Sequence, residues 1–88
     1  RNPAAYVQVE PVADMAGNLA LRISNRGPAP LRNLRVAALA PGFAREYSPS
    51  GVLNPGQSVL VAMGLRAAEL GEAASRLRGQ LRSAEVLD

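Results

Sequence analysis

Residues 18–39 constrain the fold more than any other part of the chain, because they alternate apolar and polar side chains on both sides of one turn. Leucine or isoleucine occupies every second position from 19 to 23, and a repeat of two predicts a β-strand with one buried face. The sequence Asn25-Arg26-Gly27-Pro28 then interrupts the pattern with residues that tolerate or fix turn dihedral angles. Residues 18–25 are therefore the most strongly predicted strand.

Residues 31–40 (LRNLRVAALA) fit two interpretations. On a helix, Leu31, Leu34 and Ala38 would share a face, whereas on a strand Leu34, Val36 and Ala38 would all point inwards. Prolines bracket the segment at positions 30 and 41, and it is short for a helix. We therefore predict a strand.

Four other segments also have strand-like patterns. Residues 4–12 alternate and contain Pro11, which suits an edge position or the end of a strand. Residues 41–51 predict an irregular excursion or a short strand around residues 43–47. Residues 57–65 are apolar on both faces, which predicts a central or covered strand. Residues 76–86 predict a last strand.

The connections carry their own signals. Pro55-Gly56 predicts a type II turn, because proline suits its first central position and glycine its second. Residues 66–75 are rich in alanine and glutamate and predict one helical turn, which Gly71 limits. In the last strand, the inward apolar residues change from odd positions (Leu77 and Leu81) to even positions (Ala84 and Val86). This change requires a bulge near Ser83.

These elements predict one domain over residues 1–88, with an all-β fold: an immunoglobulin-like antiparallel β-sandwich of about six or seven strands. Since the chain does not begin with methionine, we expect it to be excised from a larger protein. The predicted core comprises Val7, Val9, Leu19, Leu21, Ile23, Leu34, Val36, Val59, Val61, Met63, Leu77 and Leu81.

Composition removes several kinds of chemistry. The 88 residues include no cysteine and no histidine, so thiol chemistry and the commonest general base and metal ligand are absent. Six serines have neither histidine nor lysine to activate them. No phosphate-binding glycine motif occurs, and the carboxylates are scattered. We therefore expect no catalytic, cofactor-binding or metal-binding residue, and no enzyme activity. No apolar run is long enough to span a membrane.

All ten basic residues are arginine, and the formal net charge is +3. Five of them fall on predicted outward faces and form the candidate partner surface: Arg22, Arg35, Arg76, Arg78 and Arg82. If their strands share a sheet, they make a basic stripe for an acidic protein, anionic lipid or nucleic acid. The small charge and the lack of interleaved aromatic residues argue against nucleic acid. The alternative is a solvated face that discourages edge pairing.

A family resemblance rests on Leu19-x-Leu21-x-Ile23-x-Asn25-x-Gly27, Leu34-x-Val36 and residues 53–58 (LNPGQS). In this order the segments resemble bacterial immunoglobulin-like accessory domains of the CARDB type, and the adaptin appendage sandwich. The resemblance covers about residues 5–65. It implies a sandwich attached to a larger exported or membrane-associated protein, in the cell envelope or periplasm, that acts in binding or spacing.

The leading hypothesis is a non-catalytic accessory module of a larger bacterial protein. It would bind a protein partner, or a neighbouring domain of the same chain, through a sheet face or by strand addition to an edge. The alternatives are an anionic-surface or nucleic-acid binder that uses the arginine-rich face, and a structural spacer attached to an enzyme.

Overall fold

The computed structural model describes residues 2–87, which fold into six β-strands and one short helix. The strands are β1 (Val7–Ala13), β2 (Asn18–Asn25), β3 (Leu31–Ala40), β4 (Phe43–Tyr47), β5 (Ser58–Arg66) and β6 (Arg78–Val86), and the helix is α1 (Ala67–Leu70). Two 3-10 segments complete the secondary structure, at Pro3–Ala5 and Gly71–Arg76. The strands form two antiparallel sheets in the orders β1-β2-β5 and β4-β3-β6. The predicted all-β antiparallel sandwich is therefore confirmed.

The core lies between the two sheets. Leu21 and Ile23 of β2 and Val36 of β3 are fully buried, so the alternation in residues 18–25 and the strand interpretation of residues 31–40 are both confirmed. Two buried leucines were absent from the predicted core, Leu31 and Leu53. They form an isolated antiparallel bridge with two backbone hydrogen bonds, from Leu31 N to Leu53 O (3.0 Å) and from Leu53 N to Leu31 O (2.8 Å).

The alternation of β3 breaks at Asn33, which has a φ of 52°. Leu31 and Leu34 are consequently both buried, although they are three positions apart. In the pairing of β3 with β6, Arg35 lies opposite Ser83, whereas the next residue, Val36, lies opposite Leu81. One residue of β6 is therefore extra, and the bulge predicted near Ser83 is confirmed.

The prediction that residues 57–65 form a central or covered strand is wrong. Within residues 2–87, β5 pairs with β2 alone and is an edge strand. Val59, predicted to lie in the core, is 36% exposed, and Leu60 is 59% exposed. Among residues 2–87, no layer covers the apolar outward face of β5, which local sequence pattern does not reveal.

Most of the predicted turns are confirmed. The Gln57 N–H donates to the Asn54 carbonyl (3.0 Å), and Gly56 has the positive φ of 81° that a type II turn requires. Helix α1 ends at Leu70 with Gly71 as its C-cap, as predicted, and a 3-10 segment continues from Gly71. The first strand begins later than predicted, because Pro3–Ala5 is a 3-10 turn whose first residue is proline.

Asn25, at the end of β2, is a buried polar residue with 1% exposure. Its Nδ2 donates to the carbonyls of Ala29 (2.9 Å) and Leu53 (3.0 Å), and its Oδ1 accepts from the Gly27 N–H (2.9 Å). Its backbone N–H donates to Gln57 O (2.9 Å), and its carbonyl accepts from Gly56 N–H (2.8 Å). Asn25 therefore joins the turn after β2 to the turn before β5.

The two lateral sides of the sandwich differ. On one side β1 lies against β6, and on the other side β4 and β5 contact each other much less. A Cβ added to Gly79 of β6 would lie 2.5 Å from the Val9 carbonyl oxygen and 2.5 Å from Val9 Cγ1. We call the first side closed and the second side open. Glycine is required at position 79 because the main chains approach so closely.

The hairpin between β1 and β2 depends on Asp14. Its Oδ1 accepts from the Ala16 N–H (2.9 Å) and the Asn18 N–H (2.9 Å), and its Oδ2 accepts from Asn18 Nδ2 (3.0 Å). The Asn18 side-chain amide is the largest of the causes that lower the pKa of Asp14, followed by the Asn18 backbone N–H. The ionised form is therefore favoured in the folded hairpin.

Asp14→Ala is expected to lower the melting temperature near neutral pH. A carboxyl group whose pKa is lowered by folding stabilises the protein above its unfolded pKa, about 3.9, and loses that effect as the pH falls through the folded value. The difference between wild type and variant should therefore shrink in acid. Thermal unfolding followed by circular dichroism across this range tests the prediction. Glu72→Ala, which removes an exposed carboxylate, is the control, and a difference that does not change with pH would contradict the assignment.

Candidate functional site

The structure divides the five arginines of the candidate partner surface. Arg22 lies on the outer face of the β1-β2-β5 sheet, whereas Arg35, Arg78 and Arg82 lie on the β4-β3-β6 sheet. Arg76 is the last residue of the 3-10 segment before β6. The five side chains therefore do not form one stripe on one sheet.

Carboxylates accompany three of these arginines. Arg22 Nη1 lies 3.2 Å from Glu10 Oε1, which is on the neighbouring strand. Glu46 lies between two guanidinium groups, with Arg35 Nη2 at 3.3 Å and Arg82 Nε at 3.7 Å. All these side chains are about half exposed, so each pair adds little stability. The pairing nevertheless reduces the positive potential that a purely anionic partner would meet.

Four strands lie at sheet edges: β1, β4, β5 and β6. They differ in how readily an additional strand can pair with them. β1 contains Pro11 and packs against β6 on the closed side. β6 carries Arg78, Arg82 and Glu85, and β4 has only five residues, two of them charged. Prolines, charges and short length are the usual devices that prevent edge pairing.

β5 lacks these devices up to Arg66, its last residue. Residues 58–65 contain neither a charge nor a proline. The Asn25 N–H donates to Gln57 O, so Gln57 directs its carbonyl towards β2. In an antiparallel strand every second residue bonds to the same neighbour. Val59 and Val61 therefore also bond to β2. The peptide groups of Ser58, Leu60 and Ala62 therefore point away from the sheet. We call residues 58–62 the open edge.

Both ends of the open edge are held in place. At its start, Ser24 Oγ and Ser58 Oγ are 2.7 Å apart, and the Asn25 hydrogen bonds fix the preceding turn. Beyond its end, the Met63 carbonyl accepts from Tyr47 Oη (3.0 Å), with Arg45 Nη1 at 3.5 Å. Gly64 then bulges out of the ladder with a φ of 79°. The open edge is thus a preformed extended segment.

Sequence reasoning missed Arg45, which lies at the end of the open edge. In β4, Tyr47 pairs with the buried Val36 and Arg45 pairs with the buried Ala38, so Arg45 is on the core-facing side of its strand. Its guanidinium carbon lies 5.3 Å from the centre of the Phe43 ring. The signal was present in the alternation Phe43-x-Arg45-x-Tyr47, which places a charge on the same face as two aromatic residues.

Other kinds of site receive no support from the described residues. Between residues 2 and 87, no three side chains of the histidine, cysteine, aspartate and glutamate types are grouped as metal ligands. The same part of the chain has no helix with the length and apolar character needed to cross a membrane. Among the described residues, the open edge is the candidate binding surface.

No protein-family model, curated protein or solved structure matches this chain. The fold defines a six-stranded antiparallel β-sandwich with one uncharged edge.

Proposed function

We propose that this chain is a non-catalytic interaction module of a larger bacterial protein, and that it binds an extended segment of a partner protein by strand addition to β5. The open edge carries the proposal, because it combines outward peptide groups, no charge and an exposed Leu60. The resemblance of residues 5–65 to accessory domains agrees with such a role. Main-chain hydrogen bonds would supply affinity, and the flanking side chains would supply specificity.

The expected affinity is modest. Each main-chain hydrogen bond contributes about 0.5–1.5 kcal/mol net. Covering Leu60 and the exposed part of Val59 adds about 25 cal/mol for each Å² of apolar surface removed from water. Association costs several kcal/mol, so the sum is typical of a reversible complex. Because the open edge is already extended, the domain itself loses little conformational freedom on binding.

Leu60→Lys is expected to abolish binding of partner segments. The side chain is 59% exposed, so the domain stays folded, while a lysine at the centre of the edge prevents strand pairing. The probe is a library of random linear peptides, selected on the wild type and tested on the variant. Selected peptides should alternate apolar and polar residues, and should slow hydrogen exchange at the amides of Ser58, Leu60 and Ala62.

Two controls make this test specific. Met15→Lys adds the same charge at a fully exposed methionine in the β1–β2 turn, and it should leave binding unchanged. Methylation of alternate peptide nitrogens in a selected peptide should abolish binding in one register and not in the other, because only one set of amides faces β5. Peptides that bind wild type and Leu60→Lys equally would reject strand addition at this edge.

A further inference from the structure

We propose that the segment added to β5 carries a carboxylate side chain where it passes Met63, and that Arg45 binds this carboxylate. This inference rests on the proposed function and specifies the partner. The expected pattern has apolar side chains beside Val59 and Val61 and an aspartate or glutamate two positions further along. All three side chains would face the interior of the sandwich, since strand side chains repeat every second residue.

The position of Arg45 is the first support. It lies on the core-facing side of β4, beside Phe43 and Tyr47, and its guanidinium extends through the open side of the sandwich to the Met63 carbonyl. Met63 directly follows the open edge along β5. A strand that is paired with residues 58–62 and continues past Ala62 therefore meets this guanidinium.

The lack of a carboxylate is the second support. Among residues 2–87, no acidic oxygen lies within ion-pair distance of Arg45. The adjacent Glu46 points to the opposite face of β4, where it contacts Arg35 and Arg82. Tyr47 already donates to the Met63 carbonyl at 3.0 Å, so the 3.5 Å contact from Arg45 is not needed to satisfy that oxygen.

A guanidinium has five N–H donors in a planar arrangement that matches a carboxylate, and two parallel hydrogen bonds to one carboxylate are its strongest common interaction. Stacking on Phe43 limits the positions that the Arg45 side chain adopts, which lowers the entropy lost on binding. The charge, its orientation and its free donors therefore select an acidic side chain at this point.

A second copy of the chain fits this position poorly. If β5 paired with β5 of another copy, the residues passing Arg45 would come from a segment with no acidic residue between positions 57 and 66. Self-pairing would fill the open edge and leave the guanidinium without a carboxylate. The structure therefore favours a different polypeptide as the occupant.

The test uses peptides selected on the wild type. They are expected to contain an acidic residue at the end of the segment beside Met63, and replacing it with glutamine should weaken binding about two- to fivefold at low salt, the range for an exposed ion pair. Arg45→Gln should weaken binding of the acidic peptide to the same degree and should not affect the glutamine peptide. Arg78→Gln is the matched control, since Arg78 is exposed on β6, on the other side of the sandwich.

The outcomes separate this inference from the proposed function. Selected strands with no acidic preference, or an Arg45→Gln variant that binds both peptides less well, would show that Arg45 only supports Met63, and strand addition would stand. If no peptide distinguishes wild type from Leu60→Lys, strand addition and this inference both fail. Self-association of the free domain, with slow exchange at Ser58, Leu60 and Ala62, would assign the edge to a second copy and overturn the inference.

Discussion

Asn25→Asp is expected to destabilise the domain by about 3–5 kcal/mol near neutral pH, the usual cost of an uncompensated buried charge. The side chains have nearly the same shape, but a carboxylate cannot donate to the carbonyls of Ala29 and Leu53, which would then face negative oxygens. Burial and these carbonyls raise the pKa of the new carboxyl group above its unfolded value. The charge-dependent part of the penalty should therefore be complete above the raised folded-state pKa, and it should decrease as the pH falls from there to the unfolded pKa.

Denaturation by urea, followed by far-ultraviolet circular dichroism, measures this loss. Asn54→Asp is the matched control, because Asn54 is exposed and the same chemical change should have little effect there. Asn25→Ala adds no charge but leaves the Ala29 carbonyl and the Gly27 N–H without these partners, whereas the Leu53 carbonyl still accepts from the Leu31 N–H. It should cost about 2–4 kcal/mol at every pH. An Asn25→Asp variant as stable as wild type would contradict the proposed role of this hydrogen-bonding centre.

Gly79→Ala is the second large effect, with an expected loss of about 1–3 kcal/mol or more. The new Cβ would be placed 2.5 Å from the Val9 carbonyl oxygen, so β1 and β6 must separate. Gln80→Ala, at the exposed neighbouring position, is the control. Chemical denaturation should show the loss for alanine at position 79 only.

A double variant makes this prediction more specific. Val9→Ala removes the Cγ1 atom but not the carbonyl oxygen, so it should relieve part of the clash that Gly79→Ala creates. The two substitutions should therefore be non-additive, as expected for residues in contact. Additive losses would show that the two strands do not approach as closely as described.

Much of the fold could be predicted because local pattern and turn chemistry agree. In residues 18–25 the alternation of Leu19, Leu21 and Ile23 specifies both the strand and its buried face. In residues 31–40 the bracketing prolines identified a strand that composition left ambiguous. Pro55-Gly56 specified a turn because few residue pairs suit those dihedral angles.

Strand order could not be predicted in the same way. Apolar residues on both faces are typical of a covered strand, yet in β5 they mark an edge whose outer side is uncovered. The same limitation applied to the arginines. Outward orientation followed from alternation, but whether Arg22 and Arg35 share a sheet depends on pairing between distant segments. For Arg45, the alternation of residues 43–47 indicates the face of the strand, but it does not indicate that this face contacts Met63 of β5.

The sheet orders also determine how the chain reaches this structure. The β1–β2 and β3–β4 pairs are hairpins between consecutive strands. In contrast, β5 must find β2 across the whole of β3 and β4, and β6 must find β3 across β4 and β5. Closing these longer loops costs entropy before any contact compensates for it, which makes such pairings slow. Folding is therefore expected to be limited by the docking of β5 and β6. Until β5 docks, β2 remains without its second neighbour, so the strand that provides the binding edge is among the last to be ordered during folding.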